Sequence, residues 1–281
     1  MDKPMMIVSS LEELRAARLL LDGPAGFVPT MGYLHEGHVS LARRAHEECV
    51  SVVASIFVNP TQFGPTEDLS KYPRNLERDL RLLEAAGVNL VWTPTPEVMY
   101  PSGYGTWVEV EGLTKPLEGA ARPGHFRGVT TVVAKLFNAV QPQKAYFGQK
   151  DAQQAAVIRK MTRDLNFPVE IVVCPTVREA DGLAMSSRNS YLSPEERQSA
   201  TVLFRALTAA RSAYERGERS AEALRRIMAE TISSEPRAKM QYVSAADYDT
   251  LEELETVTGK TLLSMAVFVG KTRLIDNFVL G

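Results

Sequence analysis

The sequence predicts an α/β protein: a doubly wound, Rossmann-like parallel-sheet domain over residues 1–176, followed by a smaller α+β domain over residues 177–281. Short apolar runs alternate with helical periodicity through the first of these ranges. Residues 50–58 are almost entirely apolar and rich in β-branched side chains, which is typical of a strand buried on both faces. After Pro175 a polar connector leads into long stretches rich in Ala, Arg and Glu, so a second domain is expected there.

The elements of the first domain follow in order. Ser9 and Ser10 precede an amphipathic run and predict a capped first helix, followed by a strand at 26–28, a helix at 38–48 and the strand at 50–58. The pattern continues with a helix at 75–86, a strand at 89–92, a proline-broken loop at 93–103, a possible hairpin at 106–110, a helix at 129–140, a strand at 144–147, a helix at 151–165 and a strand at 169–173. Helices within 193–233 and antiparallel strands at 240–244, 261–268 and 272–278 complete the second domain.

Composition excludes several classes of protein. The formal net charge of -2 and the pI near 6.2 offer no general attraction for nucleic acid or for a membrane surface. The N-terminal residues are too polar for a signal sequence, and no apolar run reaches the roughly 18 residues of a membrane span. Cys49 and Cys174 are far apart and lie in apolar surroundings, which favours buried thiols in a reducing compartment. We therefore expect a cytoplasmic protein without nucleic-acid or membrane partners.

The segment 29–38 carries the most chemistry. It holds His35, Gly37 and His38 between an apolar strand and a helix start, where backbone N–H groups and the positive helix end attract phosphate. A His-x-x-His pair can also bind a metal or cap a helix, but further metal ligands are not obvious in the sequence. We therefore favour two imidazoles that hydrogen-bond a nucleotide triphosphate and stabilise the leaving pyrophosphate.

Three further segments point to the same site. Ser186, Ser187 and Arg188 supply hydroxyls and a cation suited to phosphate oxygens, although such a loop alone is most often a solvated turn. Lys150 follows a predicted strand and Asp151 opens a helix, where Asp151 can be either an N-cap or a ribose ligand. Asn59 and Gln62 follow the buried strand 50–58, and turn formation by Asn-Pro explains Asn59 but not Gln62. A His-x-Gly-His segment followed by a Met-Ser-Ser-Arg loop resembles the two signatures of HIGH/KMSKS nucleotidyltransferases.

Five blocks, 29–38, 57–63, 122–129, 147–154 and 178–189, together resemble the pantothenate synthetase family. The match runs in the right order and spacing from about residue 27 to residue 189, and the carboxy-terminal third suits the small lid-like domain of that family in size. The resemblance implies a two-step ligase. ATP and (R)-pantoate give pantoyl adenylate and pyrophosphate, and β-alanine then attacks to give pantothenate and AMP. It also implies Mg²⁺ with the ATP and a homodimer.

Site residues carry over by position in this sequence. The resemblance implies catalytic roles for His35, His38 and Lys150, with His38 as the proton donor. Implied pantoate and β-alanine ligands are Gln62 and Gln154, together with Asn59. Implied ATP contacts are Met31, Gly32, Tyr33, Leu34, His35, Glu36, Gly37, His38, Gly148, Gln149, Lys150, Asp151, Val177, Met185, Ser186, Ser187 and Arg188. The metal ligands stay open.

Two departures from the family bear on these assignments. Gln149 stands where the family usually has Glu, which removes a negative charge beside the expected phosphate site. The Met185–Arg188 loop also lacks the second lysine of KMSKS. Alternatives are another nucleotidyltransferase, a small aminoacyl-tRNA synthetase relative, or a catalytically silent nucleotide-binding protein. The separate roles of His35 and His38, and the roles of Arg122 and His125, stay open.

Overall fold

The computed structural model of the protein describes residues 4–64 and 69–281. The chain divides into two compact units. The first comprises Met1–Gly148 and Gln153–Pro175, and the second comprises Gln149–Ala152 and Thr176–Gly281. The short turn Gln149–Ala152 therefore groups with the second unit, although the chain on both sides of it belongs to the first.

The first unit is built on a six-stranded parallel sheet of order β1-β4-β3-β2-β5-β6. Its strands are β1 (Met6–Val8), β2 (Ala25–Thr30), β3 (Ser51–Ile56), β4 (Leu90–Trp92), β5 (Lys144–Gly148) and β6 (Glu170–Cys174). Its helices are α1 (Leu11–Leu19), α2 (Glu36–Glu48), α3 (Leu76–Ala85), α4 (Pro96–Met99), α5 (Glu118–Ala121), α6 (His125–Val140) and α7 (Ala152–Asp164). From β2 the chain runs outward through β3 and β4 and then returns to β5 on the other side, so the strand order reverses between β2 and β5.

The sequence prediction of a doubly wound α/β fold is confirmed, and several elements begin as expected. Ser10 caps α1 and forms a reciprocal capping box with Glu13, as the serine pair predicts. Strands β2 and β3 are almost completely buried, because both faces of a parallel sheet are covered. Cys49 and Cys174 are free, buried thiols. In the described part of the chain, no helix is both long and apolar enough to cross a membrane.

Other elements differ from the prediction. The prediction of a hairpin at 106–110 is wrong, because Val108 forms its hydrogen bonds with helix α6 and not with a strand. Its N–H donates to Thr131 Oγ1, and its carbonyl accepts from Thr130 Oγ1. The loop at 93–103 contains the short helix α4, capped by Thr95 with a proline in its first turn. Strand β1 was not expected and pairs with β4 at the sheet edge. Helix α6 begins four residues before the predicted start at 129.

The second unit packs helices against an antiparallel sheet. Its helices are α8 (Pro194–Ser199), α9 (Val202–Glu215) and α10 (Ala221–Ser233), and its strands are β7 (Ala238–Asp247), β8 (Thr261–Val269) and β9 (Thr272–Leu280) in the order β7-β8-β9. Apolar side chains of α9 and α10, such as Leu207 and Leu224, share a core with Leu263 and Met265 of β8. This unit thus buries a hydrophobic core of its own.

Candidate active site

The histidine segment follows β2 directly and leads into α2 at the carboxyl edge of the sheet. This edge, next to the point where the strand order reverses, is where open α/β sheets bind ligands. Residues Met31–Leu34 form the connection, with left-handed φ angles of 82° at Gly32 and 51° at Tyr33. A side chain at Gly32 would crowd Ile56, since an added Cβ would lie 3.0 Å from its Cγ2 atom. Glu36 and Gly37 are the first two residues of α2.

His35 and His38 cap this helix reciprocally. The Gly37 N–H donates to His35 Nδ1 at 3.1 Å, and the His35 N–H donates to His38 Nδ1 at 3.3 Å. The two rings lie 4.1 Å apart between centroids, tilted by 41°. Because both Nδ1 atoms accept backbone hydrogen bonds, the neutral rings carry their proton on Nε2. The cap therefore sets two imidazoles side by side with Nε2–H donors at the helix N-terminus.

Asp79 holds the segment that leads to these histidines. Its carboxylate, 1% exposed, accepts from the Tyr33 N–H at 2.7 Å and from the Leu34 N–H at 2.8 Å. The adjacent Arg78 donates to the Leu34 carbonyl at 2.8 Å. A cavity of 290 Å³ adjoins Met31 and Gly32 on this side of the loop. The hydrogen bonds to Asp79 therefore fix the backbone of this loop.

Gln62 and Asn59 lie on the turn after β3, where Pro60–Gln62 form one turn of 3₁₀-helix. Asn59 is 1% exposed, and its Nδ2 donates to the Gly128 carbonyl at 3.1 Å and to Gln62 Oε1 at 3.1 Å. Its Oδ1 accepts from Thr61 and Tyr100. The carbonyl partner of Nδ2 fixes the orientation of the Asn59 amide and so that of the Gln62 amide. Gln62 Nε2 is then a donor, which lies 3.2 Å from Met31 Sδ.

Arg122, which follows α5, and His125, the first residue of α6, support the same turn. His125 Nδ1 lies 2.8 Å from the Gln62 carbonyl, and its Nε2 lies 3.0 Å from Arg122 Nη1. Since a guanidinium only donates, Nε2 must accept and the ring proton sits on Nδ1, where it bonds the Gln62 carbonyl. His125 is 8% exposed. The structure therefore gives His125 a contact with the Gln62 backbone, a role that the sequence left open.

The loop that follows Val177 lies in the second unit. Met185 N–H donates to the Val177 carbonyl at 3.0 Å, so the intervening chain folds back on itself. Ser186 caps a 3₁₀-helix, Ser187–Tyr191, by accepting from the Arg188 N–H at 3.2 Å. The Ser186 hydroxyl keeps its own proton for donation while its oxygen accepts. Asp181 forms a bidentate ion pair with Arg197 at 2.8 and 3.1 Å, which lowers the pKa of the Asp181 carboxyl.

Arg178 anchors this loop to β9. Its guanidinium forms bidentate bonds with Asp276 at 2.7 and 2.8 Å and donates to the Gly182 carbonyl at 3.0 Å. It also lies over the rings of Phe204 and Phe278. Asp276 is 2% exposed, so this is a buried ion pair whose oxygens and N–H groups are well supplied with partners.

The turn after β5 is held by the same strand. Gln149–Asp151 form a 3₁₀ turn, and Asn277 donates through Nδ2 to the carbonyls of Gln149 and Lys150. Gln149 Nε2 donates to Asn277 Oδ1 at 3.1 Å, and Tyr248 donates to Gln149 Oε1 at 3.2 Å. The Gln149 side chain is thus engaged by protein groups within the second unit.

Each predicted site residue now has a place in one unit. In the first, the structure brings together His35 with His38, and Gln62 with Asn59 and Met31; Gly148 ends β5 and Gln154 is half-buried on α7. In the second lie Gln149–Asp151, Val177 and Met185–Arg188. Within the described ranges, no group of three or more His, Cys, Asp and Glu could hold a metal ion.

Sequence reasoning missed Asp79 and Asn277. Asp79 looks like an ordinary acidic residue in the first turn of a helix, and nothing in its spacing points to Tyr33 and Leu34. For Asn277, the sequence does contain an unusual pattern. An Asp-Asn pair interrupts the otherwise apolar run near the C-terminus, and both residue types are depleted in strands.

Comparison with known proteins identifies the family to which this chain belongs. A family model described as pantoate-beta-alanine ligase matches residues 6–279. The chain is 63% identical over 276 residues to a pantothenate synthetase from Roseiflexus sp. (strain RS-1), with 98% of this chain and 99% of the relative covered. It is 61% identical over 277 residues to a pantothenate synthetase from Herpetosiphon aurantiacus, with 98% and 100% covered.

Solved structures agree. A crystal structure of pantothenate synthetase from Thermus thermophilus has a TM-score of 0.94 and 52% identity, covering 98% of this chain and 99% of the other. A pantoate-beta-alanine ligase from Francisella tularensis, complexed with beta-gamma ATP and beta-alanine, has a TM-score of 0.80 and 35% identity, covering 98% and 97%. Both similarities extend over nearly all of the chain, so they include its two compact units.

Proposed function

Because this chain belongs to the pantoate-beta-alanine ligase family, we propose that it condenses (R)-pantoate with β-alanine in an ATP-dependent reaction. The main structural support for this reaction is the reciprocal capping of α2 by His35 and His38 at its N-terminus. It combines two Nε2–H donors with the positive end of a helix, and both favour the binding of phosphate oxygens.

In the first step, a pantoate carboxylate oxygen attacks the α-phosphorus of ATP. The bond from this phosphorus to the bridging oxygen breaks, which gives pantoyl adenylate and pyrophosphate. The carboxylate is already a nucleophile, so this step needs alignment and charge stabilisation rather than a strong base. We assign the stabilisation of the developing negative charge to the imidazoles of His35 and His38 and to the ammonium group of Lys150, with further ATP contacts from Ser186, Ser187 and Arg188.

In the second step, the β-alanine amine attacks the acyl carbon of the mixed anhydride. A C–N bond forms, the C–O bond to the phosphate breaks, AMP leaves, and the amine nitrogen releases its proton to solvent water. Because AMP is a good leaving group, electrostatic stabilisation contributes more than acid-base catalysis does. We propose that His38 acts as the proton donor of the first step, through Nε2–H toward the phosphate oxygens, while its Nδ1 accepts from the His35 N–H.

We propose that Gln62 and Gln154 recognise pantoate. The hydrogen bonds of Asn59 turn the Gln62 amide so that Nε2, with its second proton, can donate to a carboxylate or hydroxyl oxygen of the substrate. Because Asn59 itself is buried and bonded through both amide atoms, we expect it to act through Gln62. His125 has the same effect on the Gln62 backbone.

Mg²⁺ would enter with ATP. Mg²⁺ at phosphate sites commonly takes one or two carboxylates, with phosphate and water oxygens completing its shell. We propose that phosphate and water oxygens would supply most of its ligands here. Bound Mg²⁺ would neutralise phosphate charge. We further propose a cytoplasmic homodimer, and two buried free thiols suit a reducing compartment.

ATP–pyrophosphate exchange tests the function directly. Exchange of labelled pyrophosphate into ATP should require (R)-pantoate and should not require β-alanine, while pantothenate and AMP should form when β-alanine is added. Exchange that ignores pantoate would instead support another nucleotidyltransferase. Nucleotide binding without any exchange would support a catalytically silent protein.

The pantoate assignment has its own test. Gln62→Ala and Gln154→Ala should each raise the KM for pantoate while changing the KM for ATP far less. Exposed Gln241→Ala serves as the matched control, because it removes a glutamine amide from β7 in the other unit. An equal loss of affinity for pantoate and ATP would contradict the assignment.

A further inference from the structure

We infer that Asn277 is a positioning residue that sets the place of Lys150 in the reaction. The inference rests on the proposed function, in which Lys150 neutralises the phosphates of ATP. Asn277 does not need to contact a substrate for this role. It acts on the backbone from which the Lys150 side chain projects.

The side-chain contacts of Asn277 are directed at the two peptide units that flank the Lys150 Cα and at the Gln149 side chain. Its Nδ2 donates to the Gln149 carbonyl at 3.0 Å and to the Lys150 carbonyl at 2.8 Å. One amide thus holds two consecutive carbonyls, which fixes the orientation of the backbone on both sides of the Lys150 Cα. Its Oδ1 accepts from Gln149 Nε2 at 3.1 Å, so every strong hydrogen-bonding atom of the side chain faces this turn.

Asn277 is itself well fixed. It is 3% exposed, and its N–H donates to Asp276 Oδ1 at 2.8 Å. Asp276 is in turn held by the bidentate bonds of Arg178. Asn277 lies on β9, whose pairing with β8 is continuous through this position. A buried side chain on a paired strand is a rigid support, and such supports place catalytic groups more accurately than a free loop can.

The contact between Asn277 and the turn Gln149–Ala152 lies within one compact unit of the chain. Gly148 and Gln153 belong to the first unit, whereas the turn between them groups with the second. The bonds to Asn277 lie within this second grouping, so β9 holds the backbone of Lys150 directly.

The same contacts explain why glutamine suits position 149. Gln149 donates to Asn277 Oδ1 through Nε2 and accepts from the Tyr248 hydroxyl through Oε1. A carboxylate in this place would face Asn277 Oδ1 with an acceptor instead of a donor. Asn277 could not turn over in response, because its Nδ2 is needed by two carbonyls. Gln149 therefore completes the support of Lys150.

A double-mutant cycle tests the inference. Asn277→Ala should lower kcat/KM for pantoate-dependent ATP–pyrophosphate exchange by roughly 10- to 100-fold, the cost of displacing a catalytic group by about 1 Å. In a Lys150→Ala background, the same substitution should cause almost no further loss, because the group that it positions is gone. Asn277→Ser, which keeps one donor on a shorter side chain, should show the same pattern with a smaller loss.

Gln241→Ala is the matched control for general weakening of the sheet. It removes the bond of 2.8 Å between the Gln241 amide oxygen and Arg273 Nε, which also joins β9 to a neighbouring part of the unit, and it should not change exchange in either background. Losses from Asn277→Ala and Lys150→Ala that multiply would overturn the inference, and so would full activity of Asn277→Ala. If the unsubstituted protein shows no pantoate-dependent exchange, the proposed function fails instead.

Discussion

A single methyl group added at position 128 would test how the proposed pantoate site is built. Gly128 lies in α6, and its carbonyl accepts from Asn59 Nδ2. An added Cβ would lie 2.4 Å from the Thr61 carbonyl oxygen and 2.7 Å from the Gln62 nitrogen, whereas ordinary contact begins at 3.4 Å. Both neighbours are backbone atoms, so the turn that carries Gln62 must move by about 1 Å.

The expected effects on stability and on activity differ in size. Alanine is favoured over glycine in a helix by about 1 kcal/mol, while overpacking costs about 1–3 kcal/mol. Gly128→Ala should therefore lower the free energy of unfolding by no more than about 2 kcal/mol. A displacement of about 1 Å at a substrate-positioning group can reduce the rate by about 100-fold. We expect kcat/KM for pantoate to fall by about that factor with the KM for ATP unchanged.

Initial rates of pantothenate formation, measured across a range of pantoate concentrations at saturating ATP, provide the assay. Thermal unfolding monitors the fold in parallel. Gly105→Ala is the control, since the nearest atom to an added methyl group there is 3.9 Å away. A folded Gly128→Ala protein with unchanged kcat/KM for pantoate would refute the reasoning that this helix sets the position of Gln62.

Three further predictions concern the first unit. His38→Gln keeps a hydrogen-bond acceptor at the third position of α2 but removes the imidazole. The rate of ATP–pyrophosphate exchange should therefore fall by about 10²–10³-fold, while stability in chemical denaturation should not decrease. A folded variant with a normal exchange rate would exclude a role of His38 in catalysis. Asp79→Asn places an amide N–H group opposite a backbone N–H donor, so one of the two hydrogen bonds to the loop is lost. The free energy of unfolding should fall by roughly 2 kcal/mol, and the exchange rate should fall as well. If neither value changes, Asp79 does not hold the loop. Hydrogen bonds from Lys144, Arg44 and then Tyr146 lower the pKa of Glu48 from 4.5 to about 2, so its stabilising contribution is present above pH 4.5 and lost as the pH falls toward 2. The difference in unfolding free energy between the unsubstituted protein and Glu48→Gln should shrink over that range, and a difference that is constant from pH 6 to about pH 2 would contradict this.

Local patterns in the sequence predicted most of the regular elements, because the signals for them are contained in short stretches of chain. The apolar run at β3, the serine cap of α1 and the glycine-bearing turn after β2 depend mainly on neighbouring residues. The hairpin expected at 106–110 shows where this fails. Alternation of apolar and polar residues there resembles a strand, but Thr130 and Thr131, more than 20 positions away, take the hydrogen bonds of Val108.

The candidate site divides in the same way. The residue types and their spacing showed the family resemblance and led to the prediction of phosphate chemistry at His35 and His38. The Asn-Pro turn already explained Asn59 without a ligand and left Gln62 unexplained, but the spacing could not show that Asn59 acts on Gln62. The contacts separate them: Asn59 uses both amide atoms on the protein and orients Gln62, whose Nε2 keeps a proton for a ligand.

The sequence by itself determined the fold class, the chemical groups that are present and the family to which the chain belongs. Only the tertiary structure decided which groups hold the others in place. Asp79 reaches Tyr33 across 46 positions of sequence, and Asn277 reaches Lys150 across 127. The physical reason is that a hydrogen bond depends on distance and direction in space, and neither is encoded in the spacing of two residues that far apart along the chain.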